Sequence, residues 1–179
     1  MSSTPPTITV RDSRPEDEAD IQRIYAHHVQ SGTASFEESA PDVVEIAHRR
    51  EAVIAFGAPY IVAELDGQVQ GFAYAYKFRP RSAYRHTVEN SIYVEPAATG
   101  NGIGTALLRA LIERCTALGY RQMVAVIGGA GNTASVNLHK RLGFSVAGQL
   151  KSTGFKFGDW VDTIFMQRAL GEGDETLPE

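Results

Sequence analysis

The sequence predicts one α/β domain, with helices packed on a sheet that begins antiparallel. Three observations lead to that fold class. The chain has 179 residues, 43% of them hydrophobic, enough for one substantial core within the usual size of one domain. β-rich runs such as Tyr60 to Leu65 and Gln122 to Ile127 alternate with segments whose apolar residues recur at helical spacing. Asp66-Gly67, a tight-hairpin dipeptide because Gly tolerates positive φ, joins two neighbouring β-rich runs, so the first part of the sheet is antiparallel.

Residues 1–7 form a Pro-containing lead, expected to be flexible, ahead of a domain over 8–170. Ile8-Thr9-Val10 is the first strand. Ser13, Pro15 and the acidic residues after them start a helix with Ile21, Ile24, Tyr25 and His28 on one face. Ser31 to Ser39 is a polar loop carrying Phe36. Pro41 opens a second helix, which runs to about Phe56 and is ended by Gly57-Ala58-Pro59. Tyr60 to Leu65 and Val69 to Tyr76 form the hairpin, and Phe78 to His86, with Arg79, Arg81 and Arg85 around Pro80, is a loop. Thr87 to Val94 resumes the sheet until Pro96. The cluster Gly100-Asn101-Gly102-Ile103-Gly104 leads into a helix from Thr105 to Leu118, which Gly119 stops in a left-handed conformation. Gln122 to Ile127 is apolar enough to be covered on both faces, and Gly128-Gly129-Ala130-Gly131 is a turn. Asn132 caps a helix that Gly143 ends. Phe144 to Val146 is a strand, Phe155 to Leu170 a hairpin turning at Gly158-Asp159, and 171–179 an acidic, flexible tail. There is no internal repeat.

A net charge of −4 argues against a surface built to hold nucleic-acid phosphates or anionic lipid, so the expected partner is a small molecule. No apolar run approaches the length that spans a bilayer, and Met1 to Pro6 lacks the charged and apolar regions of a secretory signal. The expected compartment is the cytoplasm, with no membrane partner. The single Cys115 falls on an apolar helical face between Ile112 and Leu118, which suits packing and not a thiol relay. His27-His28 point about 100° apart on a helix and lack a carboxylate-rich companion, so no metal site is expected.

A strand ending at Val94, a glycine loop and an amphipathic helix make a place for anionic oxygens, because a helix start offers unpaired N–H groups and a positive dipole end. From the loop alone, pyrophosphate binding and a plain tight connection stand equally. No Lys-Ser or Lys-Thr follows the glycines, and Gly100-x-Gly102-x-Gly104 has the wrong spacing for a dinucleotide fingerprint. Thr99-Gly100-Asn101-Gly102-Ile103-Gly104 does resemble the acetyl-CoA loop of the GNAT family, with Thr99 where that family usually has Gln or Arg. Asn132-Thr-Ala-Ser-Val-Asn137-Leu-His139-Lys-Arg-Leu-Gly143-Phe144 resembles the family's second segment, with His139 in place of the common Tyr. That His is similar to the branch of phosphinothricin and methionine sulfone/sulfoximine acetyltransferases. Thr87-Val88-Glu89-Asn90-Ser91-Ile92-Tyr93-Val94 and Phe155-Lys156-Phe157-Gly158-Asp159-Trp160 carry the same likeness, which spans about Ile8 to Leu170.

The resemblance implies a GNAT fold, a central mixed, mostly antiparallel sheet flanked by helices, in which a splayed strand pair holds acetyl-CoA as co-substrate, with no metal. It assigns the cofactor to Ile92, Tyr93, Val94, Thr99, Gly100, Asn101, Gly102, Ile103, Gly104, Thr105 and Asn132. An amine acceptor is mostly ammonium at neutral pH and needs a base, for which Glu89 is the candidate. His139 is placed to relay a proton or protonate the CoA thiolate, with Glu89 orienting its ring, or else to shape the pocket through local hydrogen bonds. Arg79 and Arg81 suit a carboxylate, sulfone or phosphinate oxygen, with Phe36 and Tyr84 as pocket walls; Arg85 is the third arginine of that loop. Trp160 and the hairpin Phe155 to Phe165 have the composition of core, yet in the resembling branch they lie near a two-fold contact, which implies a homodimer. The expected reaction is direct acetylation of the α-amino group of a small amino acid or analogue. A polyamine, an aminoglycoside or a protein N-terminus remains an alternative acceptor, and a non-catalytic acyl-CoA-binding module an alternative class. The arginine-bearing loop argues against a polycation.

Overall fold

A computed structural model describes residues 7–129 and 131–178. The strands are β1 (Ile8–Asp12), β2 (Tyr60–Leu65), β3 (Gln68–Lys77), β4 (Thr87–Val94), β5 (Gln122–Gly128), β6 (Ser145–Lys156) and β7 (Asp159–Ala169). The helices are α1 (Glu18–Ser31), α2 (Val43–Ala55), α3 (Ile103–Ala117) and α4 (Thr133–Arg141). The sheet runs β1-β2-β3-β4-β5-β7-β6, and every adjacent pair is antiparallel except β4 with β5. This is the mixed, mostly antiparallel sheet that the resemblance implies.

Alternation along β3 decides which helices cover which face. A Cβ added at Gly71 would lie 2.9 Å from Ile103 and 3.0 Å from Leu107, so this set of β3 positions faces α3. Phe72 meets Tyr25 of α1 edge-on at 6.4 Å, and Tyr76 meets Phe56, just past α2, at 5.2 Å. The register pairs Tyr76 with Glu89 and Ala75 with Asn90, which puts Glu89 on the α1–α2 face and Asn90 on the α3 face. The core centres on Ile103, Leu107, Leu108, Leu111 and Cys115 of α3 packed against β2 and β3. Cys115 is fully buried and burial pushes its thiol up to about 12, which fits the packing role expected of it.

Three expectations need correction. β6 runs twelve residues from Ser145, not just to Val146, and nearly all of it is exposed. As an edge strand with register shifts at Val146/Gly148 and Leu150/Gly154, it carries no apolar alternation to read. The last hairpin turns at Phe157-Gly158, with φ of 55° and 84°, one residue earlier than Gly158-Asp159. Phe155, Phe157 and Trp160 stand 58%, 61% and 68% exposed, so the aromatic hairpin tip is surface and not core. The described part of the tail, 171–178, folds back so that Arg121 donates to the carbonyls of Gly173 and Leu177. Of the turn at 128–131, Ala130 lies outside the described residues, as do the lead residues 1–6 and Glu179.

Candidate active site

The parallel ladder between β4 and β5 stops early. Thr87 to Asn90 pair with Gln122 to Ala125, after which Val126, Ile127 and Gly128 pair with β7 alone while Ser91 to Val94 stay with β3. The parted strands open a cleft of about 520 Å³. Ile92, Tyr93 and Val94 form one wall, and Ala125 to Gly128 the other. Ladder groups of β4 on that side are left without strand partners, which is what an extended amide-bearing arm needs for pairing.

Thr99, Gly100, Gly102, Ile103, Gly104 and Thr105 close one end of the cleft. The helix of α3 begins at Ile103 with Gly102 as its N-cap, so the N–H groups of its first turn have no intrahelical acceptor and the positive dipole end faces in. The glycines do not share one purpose. Gly100 and Gly102 hold φ of 85° and 86°, where a side chain is strained. Gly104 instead brings α3 close to α4, since a Cβ there would lie 3.2 Å from Leu138. Asn101 is the one predicted loop residue outside the lining; its amide donates to the Ala98 carbonyl and braces the loop. Thr99, in place of the usual longer residue, donates from its hydroxyl to the Pro96 carbonyl at 2.9 Å.

α4 covers the cleft's other side. Asn132 both caps the helix, accepting from the Ser135 N–H, and lines the cleft with Ser135, Leu138 and His139. His139 is 3% exposed, its Nδ1 lying 2.8 Å from the Ser135 carbonyl and its Nε2 3.0 Å from Asn90 Oδ1. The Asn90 amide in turn donates to the Val124 carbonyl at 3.2 Å. Burial holds the imidazole below its ordinary value, against the pull of the Ser135 carbonyl. The ring is therefore oriented by Asn90 and Ser135. Glu89 does not orient it, because adjacent strand residues point to opposite faces of the sheet.

Glu89 belongs to the second-last pair before β4 and β5 part. Its carboxyl is pushed up by burial, opposed by Arg79, whose Nη1 lies 4.0 Å from Glu89 Oε2. Arg79 also lies over the Phe78 ring at 4.2 Å. Arg81 caps the short 3₁₀ turn Ser82–Tyr84, and Arg85 folds back toward the Ser82 carbonyl, so of the three arginines Arg79 is the one brought to Glu89. Tyr84 sits edge-on to Phe78 and shares with Thr87, Val124 and Phe165 an open groove on the Glu89 face. Phe36, 42% exposed, lies against Gly128 where the cleft ends, since a Cβ there would lie 2.6 Å from its ring.

Two residues of the site were missed in the sequence. His28 lines the cleft and hydrogen-bonds the Val94 carbonyl at 2.8 Å, so one acceptor expected to serve the coenzyme arm already has a protein donor. Asn90 is the bridge between β4, β5 and α4 described above. Neither role has a local signal, since the partners lie 66 and 49 residues away. Among the described residues no three or more His, Cys, Asp or Glu are grouped to hold a metal ion.

A parted strand pair, a helix start at one end and a half-buried carboxylate beside the fork are the framework of an enzyme that moves an acyl group carried on a long phosphate-bearing arm. The chain belongs to the acetyltransferase (GNAT) family, whose model matches residues 21–144. It is 55% identical over 171 residues to a phosphinothricin N-acetyltransferase of Alcaligenes faecalis, covering 96% of this chain and 87% of that one. It is 41% identical to an L-methionine sulfoximine/L-methionine sulfone acetyltransferase of Pseudomonas paraeruginosa, over 92% of this chain and 95% of that one. A crystal structure of a phosphinothricin acetyltransferase from Sinorhizobium meliloti with AcCoA superposes with a TM-score of 0.94 at 52% identity, covering 97% of this chain and 94% of that one.

Proposed function

We propose that the chain transfers acetyl from acetyl-CoA directly to the α-amino group of a small amino acid or analogue, of the phosphinothricin, methionine sulfone or methionine sulfoximine type. The observation that carries this reading is the position of Glu89 on β4, next to the point where β4 and β5 part, with Arg79 of the preceding loop 4.0 Å from its carboxylate. The loop 99–105 and the start of α3 take the pyrophosphate, and the wall Ile92 to Val94 pairs with the pantetheine arm, which brings the thioester to the fork.

Glu89 takes a proton from the acceptor ammonium, directly or through a water. The free amine attacks the thioester carbonyl carbon, and a β4 backbone N–H steadies the oxyanion. Collapse breaks the C–S bond and releases the thiolate, which takes up a proton. His139 keeps α4 and the cleft wall in register; its two nitrogens face the Ser135 carbonyl and Asn90 Oδ1, so the single N–H of the neutral ring is held by a protein acceptor, which favours this over a proton relay. Arg79 pairs with an acidic oxygen of the acceptor, with Phe36 and Tyr84 as walls and Arg81 at the outer edge. The chain acts in the cytoplasm as a homodimer through the exposed Phe155, Phe157 and Trp160. Among the described residues no helix is long and apolar enough to cross a membrane.

The test is free-thiol release from acetyl-CoA with L-methionine sulfone, L-methionine sulfoximine, phosphinothricin, spermidine and a peptide amine supplied in parallel. Turnover confined to the amino-acid analogues supports the reading, and turnover only with spermidine or the peptide overturns the acceptor. Coenzyme binding without any turnover overturns the enzyme.

A further inference from the structure

We propose that Lys156 and Gly154 of β6 are positioning residues that hold Phe36 in place as a wall of the acceptor site; this rests on the reading of Phe36 given above. Neither residue touches the cleft, and neither is used by the chemistry. Lys156 is 2% exposed, and its Nζ donates to the Gly32 carbonyl at 2.8 Å and the Ser35 carbonyl at 2.7 Å, more than 120 residues earlier in the chain. A buried ammonium is costly unless its donors are used, and here two of them grip both ends of one short loop. Burial pulls Lys156 below its ordinary value, and Glu38 and Glu37 oppose that pull. The Ser35 hydroxyl, bonded to the Tyr25 hydroxyl at 2.9 Å, fixes the same loop to α1.

Gly154 completes the device by what it lacks. A Cβ built on it would fall 2.5, 2.8 and 2.9 Å from three carbons of the Phe36 ring. The ring thus rests on bare backbone at Gly154 on one side and at Gly128 on the other, beside the end of the cleft. Ala34, between the two carbonyls that Lys156 grips, itself lines the cleft. Residues at the far edge of the sheet therefore set how far Phe36 stands from the reacting centre. Acceptor binding should feel a change at Gly154 or Lys156, and coenzyme binding should not.

The experiment compares Gly154→Ala, Lys156→Met, Phe36→Ala and the two double variants containing Phe36→Ala, in thiol-release assays with L-methionine sulfone. Gly154→Ala and Lys156→Met should each raise the acceptor KM about tenfold or more, with the acetyl-CoA KM changed by less than about twofold. In the Phe36→Ala background both effects should vanish, because they act through that ring. If Phe36→Ala leaves the acceptor KM unchanged, the reading of Phe36 as a wall falls. If Phe36→Ala raises the acceptor KM but the β6 variants do not, or if they raise both KM values alike, the positioning role falls. Should Gly154→Ala fail to fold, Lys156→Met and its pair with Phe36→Ala carry the same comparison.

Discussion

Replacing Asn90 with Ala removes a side chain that ties β4, β5 and α4 together where the strands part. Two contacts go: the bond to His139 at 3.0 Å and the donation to the Val124 carbonyl at 3.2 Å. Asn90 is 6% exposed and His139 3%, so the abandoned groups are not simply rehydrated. Each unsatisfied buried group costs about 1–3 kcal/mol, and because Asn90 borders the cleft, water can reach one of the two. The net loss is about 2 kcal/mol, a fall in Tm of about 4–8 °C for a chain of this size. Thermal unfolding followed by circular dichroism measures it. The cycle with His139→Phe, which keeps an aromatic ring against Phe144, isolates the pairwise part. Asn90→Ala should cost clearly less in that background. A change in Tm below about 1 °C, or full additivity with His139→Phe, would refute the bridge.

Further outcomes follow from the same structure. Cys115→Ala should keep kcat while costing about 1 kcal/mol or more of stability, because the thiol is core packing and no acyl group passes through it; loss of turnover with intact melting would contradict direct transfer. Gly102→Ala forces a side chain into φ of 86° at the start of α3, which should cost about 1–2 kcal/mol. It should raise the acetyl-CoA KM more than the acceptor KM, and equal effects on both would count against the loop as the pyrophosphate site. Burial holds His28 below its usual value, so below about pH 6.5 the unfolded chain binds the extra proton and stability drops with falling pH. The fall in Tm from about pH 7 to about pH 5.5 should shrink in His28→Gln, and an unchanged slope would refute that assignment.

Much of the sheet was legible in the sequence, because β2 and β3 are β-rich runs joined by an obvious Asp-Gly turn, with φ of 50° and 82° at its two residues. The site was legible where function lies in a contiguous segment. The loop at 99–105 and the Asn132 helix both end up on the cleft. Legibility failed where the third dimension decides. Glu89 and His139 look like partners until strand alternation puts them on opposite faces of the sheet. His28 reads as one more residue on the apolar face of its helix, yet the fold hands it the Val94 carbonyl. Gly104 belongs to the coenzyme motif but is small because Leu138 approaches it. The middle of β6, between Val146 and Phe155, was missed because an exposed edge strand need not alternate.

Catalysis by this chain depends most on Glu89 deprotonating the acceptor amine. The deciding measurement is kcat/KM for L-methionine sulfone against pH, for the wild type and Glu89→Gln. The wild-type rate should fall on the acid side as the carboxyl, raised by burial, takes up its proton. Glu89→Gln should lose about 10²–10⁴-fold near neutral pH and regain part of it as the solution pH itself frees the amine. A Glu89→Gln profile that overlays the wild type at every pH would contradict the account.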